Sequence, residues 1–242
     1  MNRQRADLLL VNRGLFDSRA QAQAAITAGL VTANGAVVRK ASENLPADAR
    51  IVAEKPHPFV SRGGVKLAAA LEAFGIDPKG RFCLDVGAST GGFTDLLLQR
   101  GARHVAAVDT GRGQLHERIA QDRRVTSLEA TDIRTLAAGG LPEAPTLAVI
   151  DVSFISLAKV LPAVSALLAP AAELVALIKP QFEVGKAQIG KGGLVKDEAA
   201  REAAVAAILD ALRDLGWRPA QVIDSPISGG DGNREYLVAA SR

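Results

Sequence analysis

One cysteine, one tryptophan, one tyrosine and three histidines in 242 residues leave several chemistries without ligands. A lone thiol, Cys83, excludes a disulfide framework and a cysteine metal cluster, and its place inside an apolar run makes it a core residue. Histidine offers no better metal set: His57 lies alone between Pro56 and Pro58, so no metal is expected. No uncharged apolar run approaches the length of a membrane span. The start Met1-Asn2-Arg3-Gln4-Arg5 is not followed by the apolar region of a secretory signal, so a cytoplasmic address and no membrane partner are expected. What is present is a chain 48% hydrophobic and 23% charged, long enough to bury a full core in one or two domains.

The net charge of +3 is unevenly spread. Residues 1–66 hold ten Lys and Arg against five Asp and Glu, and the remainder holds nineteen against twenty-one. A basic module joined to a near-neutral larger one suggests a polyanionic partner, with RNA, DNA and an anionic membrane surface all open on charge alone.

Arg5 to Asn12 reads as a short helix stopping before Gly14. Ser18 can cap a second, Arg19 to Ala28, which Gly29 ends. Leu30-Val31-Thr32 and Ala36-Val37-Val38 flank Asn34-Gly35, a dipeptide that accepts positive φ at both centres of a tight hairpin, and Ile51-Val52 offers another strand. This order, with the run Ser18-Arg19-Ala20-Gln21 through Ala25-Ile26 and Gly29-Leu30-Val31, resembles the S4 RNA-binding domain. The resemblance implies that Arg3, Arg5, Arg13, Arg19, Arg39, Lys40 and, beyond the module, Arg62 face RNA phosphates, which gives affinity and orientation more than sequence reading. The scarcity of aromatics here, with Phe16 the one within residues 1–53, favours a folded RNA shape over single strands. The expected division is an S4-like domain at 1–53, a stiff Pro-containing linker at 54–58 and a second domain at 59–242.

From Phe59 onward apolar runs alternate with helical patterns, the sign of a parallel sheet covered by helices. Strands are expected at Phe82 to Val86, His104 to Val108, Val125 to Leu128, Leu147 to Ile150, Leu174 to Ile178, Val222 to Ile223 and Tyr236 to Ala239, with helices near Lys66 to Phe74, Phe93 to Gln99, Leu157 to Leu168 and Asp197 to Leu215. The fold class is α/β: a doubly wound, Rossmann-like, mostly parallel seven-stranded sheet behind a small α+β module. Ligands of such sheets bind at the carboxyl ends of strands, so Asp85, read as lying near such an end, and Asp109, Asp132, Asp151 and Lys179, read as lying at or just beyond those ends, become candidates.

The stretch Leu84 to Asp95 reads as a strand, a glycine-rich turn and a helix. Within it, Gly87, Ala88, Ser89, Thr90, Gly91, Gly92 and Phe93 form a nucleotide-cofactor loop whose glycines permit close backbone approach. Asp109 follows at the spacing that reaches a cofactor ribose. Ser89, however, stands where a dinucleotide fingerprint needs its second glycine beside the pyrophosphate. S-adenosylmethionine has no phosphate, so Asp85 and the loop backbone suit its methionine end better than they suit NAD.

Phe59-Val60-Ser61-Arg62-Gly63-Gly64-Val65-Lys66-Leu67, Leu84 to Asp95, Asp151-Val152-Ser153-Phe154-Ile155-Ser156-Leu157, Ile178-Lys179-Pro180-Gln181-Phe182-Glu183-Val184-Gly185 and Gly232-Asn233-Arg234-Glu235-Tyr236 resemble the TlyA family, across essentially the whole chain. That family joins an S4 domain to an FtsJ-like class I methyltransferase domain. The resemblance implies a catalytic set Lys66, Asp151, Lys179 and Glu235, S-adenosylmethionine as cofactor, and transfer to the ribose 2′-hydroxyl of a cytidine in ribosomal RNA. In that set Lys179 would act as base or hydroxyl-orienting residue, Lys66 would disfavour a second ammonium beside it, and the carboxylates would orient the lysines and the ribose. Because the chain stops soon after the Tyr236 strand, large-subunit 23S rRNA is the expected acceptor. The stretch from Pro180 to Gly193 suits a loop that closes over the target nucleotide, and Phe154 or Phe182 could stack an extruded base. A membrane-active haemolysin, a nucleotide-dependent oxidoreductase and a noncatalytic RNA-binding protein are the competing readings.

Overall fold

In a computed structural model residues 3–137 and 139–242 are described, and the chain divides into two units, Met1–Pro58 and Phe59–Arg242. The N-terminal unit opens with strand β1 (Arg3–Arg5), helix α1 (Ala6–Asn12) and helix α2 (Arg19–Thr27). Ser18 Oγ caps α2 by accepting the Gln21 N–H at 3.3 Å. Strands β2 (Val31–Ala33) and β3 (Ala36–Val37) form the hairpin, with φ of 51° at Asn34 and 84° at Gly35 as a two-residue turn with positive φ at both centres requires. Strand β4 (Asn44–Pro46) pairs with β1, and β5 (Ile51–Ala53) with β2. Leu9, Leu10, Phe16, Ile26, Val31 and Val38 are buried between the helices and these small sheets. The β1 and β4 pair was not expected from the sequence: three polar residues, Arg3-Gln4-Arg5, carry no apolar alternation and become a strand only by pairing with a distant partner.

The second unit begins with α3 (Gly63–Phe74) and then alternates: β6 (Phe82–Val86), α4 (Gly92–Gln99), β7 (His104–Val108), α5 (Glu117–Ala120), β8 (Val125–Leu128), β9 (Leu147–Ile150), α6 (Leu161–Leu167), β10 (Glu173–Ile178), α7 (Pro180–Glu183), α8 (Glu198–Asp214), β11 (Arg218–Pro219), β12 (Ile223–Asp224) and β13 (Tyr236–Ser241). The sheet order is β11-β13-β10-β9-β6-β7-β8, with β12 also on β13. The strands from β6 to β10 run parallel, and β11 to β13 join antiparallel at one side. Among the described residues eight strands therefore stand where seven were expected; the added one is the two-residue β11 containing Pro219.

Every residue of β6 and β9 is buried, because helices cover both faces. Phe82, Leu84 and Val86 enter one apolar layer with residues of α6 and α8, while Cys83 enters the other with residues of α3 and α4. The chain winds outward from β6 through β7 to β8 and then returns on the other side of β6 as β9. The sheet's switch point thus lies between β6 and β9, at Gly87 and Asp151.

Candidate active site

Gly87 leaves β6 with φ of 84°, and a Cβ there would overlap the Asp151 carbonyl oxygen, so only glycine lets the two strand ends come this close. The Gly87 and Ala88 N–H groups donate to the Val108 carbonyl at 2.9 and 3.2 Å. Ser89 holds a left-handed φ of 46°, kept there by its N–H to Asp109 Oδ2 at 2.8 Å and its hydroxyl to Gln114 Oε1 at 3.2 Å. Asp109 Oδ1 accepts the Gly111 N–H at 2.7 Å. This carboxylate is therefore rigid, and each of its oxygens keeps lone-pair capacity toward the cleft it lines. Gly91, at φ of 89°, precedes the first turn of α4, and at Gly92 a Cβ would meet Ser61 Oγ. Phe93 is buried beneath the turn, and Thr90 lines its outer side.

Asp85 is the penultimate residue of β6, near the exit where the sequence puts it, and is fully buried. Thr94 Oγ1 donates to its Oδ2 at 2.6 Å, while Oδ1 has no hydrogen-bond partner among the described residues. Burial pushes its carboxyl up to about 7 against the Thr94 bond, and the charges of Asp151 and Asp109 add to the rise. Asp132 caps the short turn Ile133–Thr135 and pairs with Arg134 at 2.5 Å, and this guanidinium holds its carboxyl below the usual range.

Four separate elements bring Lys66, Asp151, Lys179 and Glu235 together. Lys66, on α3, lies 2.5 Å from Glu235, which precedes β13. Lys179, at the exit of β10, lies 2.7 Å from Asp151 Oδ1 and donates a hydrogen bond to Ser153 Oγ at 2.8 Å. The first pair is the deeper, with side chains 10% and 3% exposed; Asp151, at 21%, faces the cleft. Burial raises the Glu235 carboxyl above its usual range against the pull of Lys66 and Lys179, and the Asp151 charge adds to the rise. Each ammonium thus has its own carboxylate, so the two lysines sit in a balanced quartet instead of confronting one another unpaired.

Two clefts share Gly87, Ser89 and Asp151 in their walls. The smaller, about 220 Å³, reaches Lys66 and Arg62. The larger, about 980 Å³, runs past Asp109 and Asp132 to Phe154 and Phe182, and is of a size that holds small-molecule ligands. Phe154 is 92% exposed at φ of 65°, its ring centroid 5.3 Å from that of Phe182.

The N-terminal arginines divide. Arg39 and Lys40 are exposed. Arg3 donates to the Asn44 carbonyl at 2.6 Å, and Arg13 to the Ala49 and Ala47 carbonyls at 2.6 and 2.5 Å, so Arg13 closes the turn before β5 and its free donors are fewer than expected. Arg5 and Arg19 both pair with the buried Asp7, whose carboxyl is held well below its usual range by the Arg5 hydrogen bonds first. Sequence reading missed Asp7, although an acid inside the apolar run Ala6-Asp7-Leu8-Leu9-Leu10 was a visible signal. It also missed Ser153, and Asn233, whose side chain ties Val195, Gly193 and Asp231 beside Glu235.

The FtsJ-like methyltransferase family matches residues 59–242, and the S4 domain family matches residues 4–51. The chain is 46% identical over 238 residues to "16S/23S rRNA (cytidine-2'-O)-methyltransferase TlyA" of Mycobacterium tuberculosis, covering 98% of this chain and 89% of that one. It is 39% identical to "Hemolysin A" of Brachyspira hyodysenteriae, covering 97% and 98%. A solved S-adenosylmethionine dependent methyltransferase from Mesorhizobium loti shares the fold at a TM-score of 0.54 and 19% identity, over 72% of this chain and 96% of that one. With a Rossmann-like sheet of class I methyltransferase type, a glycine turn at its switch point and two lysine–carboxylate pairs beside that turn, the chain belongs to the FtsJ-like methyltransferase family and carries an S4 domain at its N-terminus.

Proposed function

We propose that this protein transfers a methyl group from S-adenosylmethionine to the ribose 2′-hydroxyl of a cytidine in ribosomal RNA, with 23S rRNA the acceptor expected first and the S4 domain docking the RNA. The observation that carries the reading is the Lys66–Glu235 and Lys179–Asp151 quartet set against the Gly87 turn. The name of the relative from M. tuberculosis, which gives both 16S and 23S rRNA, supports a ribosomal RNA cytidine as the acceptor without choosing between the subunits. A ribosomal acceptor implies work in the cytoplasm.

The residues present fit the cofactor. The unpartnered Oδ1 of Asp85 and the crowded Gly87 suit its methionine end, Asp109 suits its ribose hydroxyls, and Asp132 lies along the same cleft. When bound, the cofactor supplies a methyl already activated on a sulfonium. The protein's task is then alignment and one proton. Lys179 Nζ, fixed by Asp151 and Ser153, is assigned to the 2′-hydroxyl: it orients the oxygen and, when unprotonated, takes the hydroxyl proton as the new C–O bond forms and the methyl's bond to the sulfonium sulfur breaks, the electron pair of that bond going to sulfur. Asp151 balances the charge Lys179 then carries. Lys66 and Glu235 brace the ribose side, and Phe154 with Phe182 gives an extruded base a surface to stack on.

The test is transfer of labelled methyl into purified ribosomal subunits. Lys179→Ala and Asp151→Ala are expected to lose it, and unaltered transfer by both contradicts the assignment. The relative named Hemolysin A supports a second reading, membrane lysis. Among the described residues no helix is long and apolar enough to cross a membrane. Lysis of liposomes by the purified protein without a methyl donor would favour that reading over ours.

A further inference from the structure

We propose that the catalytic unit carries its own grip on RNA: Lys159 and Lys186, lining the same cleft as the Phe154 and Phe182 rings, hold the phosphates that flank the target nucleotide. The inference rests on the reading that the acceptor is RNA, and adds to it a binding surface outside the S4 domain.

Lys159 ends the short turn Leu157–Lys159 that follows Phe154, and Lys186 begins the turn Lys186–Gln188 that follows Phe182. Both lysines and both rings line the larger cleft. The two segments are tied to each other three times. Glu183 accepts from Ser156 Oγ at 2.6 Å and from the Leu157 N–H at 2.8 Å, Lys179 donates to Ser153, and the two rings meet at 5.3 Å. The cations are therefore mounted on a braced frame that also holds Lys179.

Arg134, which lines the same cleft, is matched by an acid, pairing with Asp132, and Lys179, near Phe182 in sequence, pairs with Asp151. Lys159 and Lys186 are exposed, and among the described residues neither has a carboxylate within 4.0 Å. Unmatched positive charge at this lip, in a unit that is otherwise near neutral, is complementary to a polyanion. The exposed Phe154 ring beside it selects among polyanions, because a nucleic acid strand offers a base to stack as well as phosphates to pair. An anionic lipid surface offers the phosphates without the base.

The test measures Kd for ribosomal subunits against salt concentration, using the full chain and the variants Lys159→Ala, Lys186→Ala and the double variant. Lys79→Ala, at the amino-terminal side of β6, is the control. Each cleft substitution is expected to weaken binding several-fold and to reduce the slope of log Kd against log salt by roughly 0.7 to 0.9, the double variant by the sum. Lys79→Ala should behave as the parent, and S-adenosylmethionine affinity by calorimetry should stay unchanged in all of them. A double variant that keeps the parent's Kd and salt slope, while the parent methylates RNA, overturns the grip. So does binding to phosphatidylserine vesicles that depends on these lysines while subunit binding does not. A parent inert toward RNA instead removes the reading beneath it.

Discussion

Glu235→Gln keeps the shape of the side chain and removes its charge, leaving the Lys66 ammonium without the carboxylate that now lies 2.5 Å away. An exposed pair would lose about 0–1 kcal/mol on such a change, whereas breaking a buried pair costs about 3–5 kcal/mol because the remaining charge stays desolvated. Side-chain exposures of 10% and 3% select the second range. The amide oxygen can still accept one hydrogen bond from Lys66, which sets the expectation at its lower end, about 3 kcal/mol. In a unit of this size each kcal/mol moves the melting temperature by roughly 2–4 °C, so the catalytic unit's transition should fall by roughly 6–12 °C in scanning calorimetry. The double variant Lys66→Met/Glu235→Gln has no stranded charge and should recover most of that loss, yet stay inactive in methyl transfer. A fall smaller than roughly 2 °C in the single variant, on the same scale, would refute the reasoning that these charges are desolvated and coupled.

Asp7→Asn tests the other buried carboxylate. Because its folded-state pKa is depressed, its stabilisation is present above the unfolded value near 4 and lost as pH falls below it; the variant should melt lower at pH 7 and lack that acid-dependent loss. Asp85 has the opposite sign. With a folded value of about 7, its fold keeps a proton that the unfolded chain releases between pH 4 and 7, so stability declines as pH rises through that window. Asp85→Asn should remove the decline, melting higher than the parent at pH 8 and equally at pH 4, while binding S-adenosylmethionine more weakly by calorimetry. Phe154→Ala removes an exposed side chain from a left-handed backbone and should leave melting unchanged, while kcat/KM for ribosomal RNA falls roughly 10- to 100-fold, the worth of one lost base stack.

The parallel strands were legible because helices bury both of their faces, turning β6, β9 and β10 into apolar runs whose ends mark Asp151 and Lys179. Strand limits were less legible where pairing continues past the apolar run: Glu173 and Ser241 are register partners at the ends of β10 and β13, beyond the expected limits Leu174 and Ala239. The single helix expected over Leu157 to Leu168 is a short turn, Leu157–Lys159, followed by α6, and Pro162 in its first turn was the overlooked signal. Lys66 and Glu235 stand 169 positions apart, and no local pattern relates them; the family resemblance alone brought them together in the sequence reading. For the N-terminal arginines the sequence discloses charge but not partner, so Arg5, Arg13 and Arg19 read as free cations although Asp7 and the backbone carbonyls engage them.

Mapping ribose methylation across ribosomal RNA from cells with and without this gene tests the central claim most directly. The account predicts a cytidine 2′-O-methyl mark in 23S rRNA that is present with the gene, absent without it, and restored by the parent but not by Lys179→Ala; identical ribose methylation in both cell lines would contradict it.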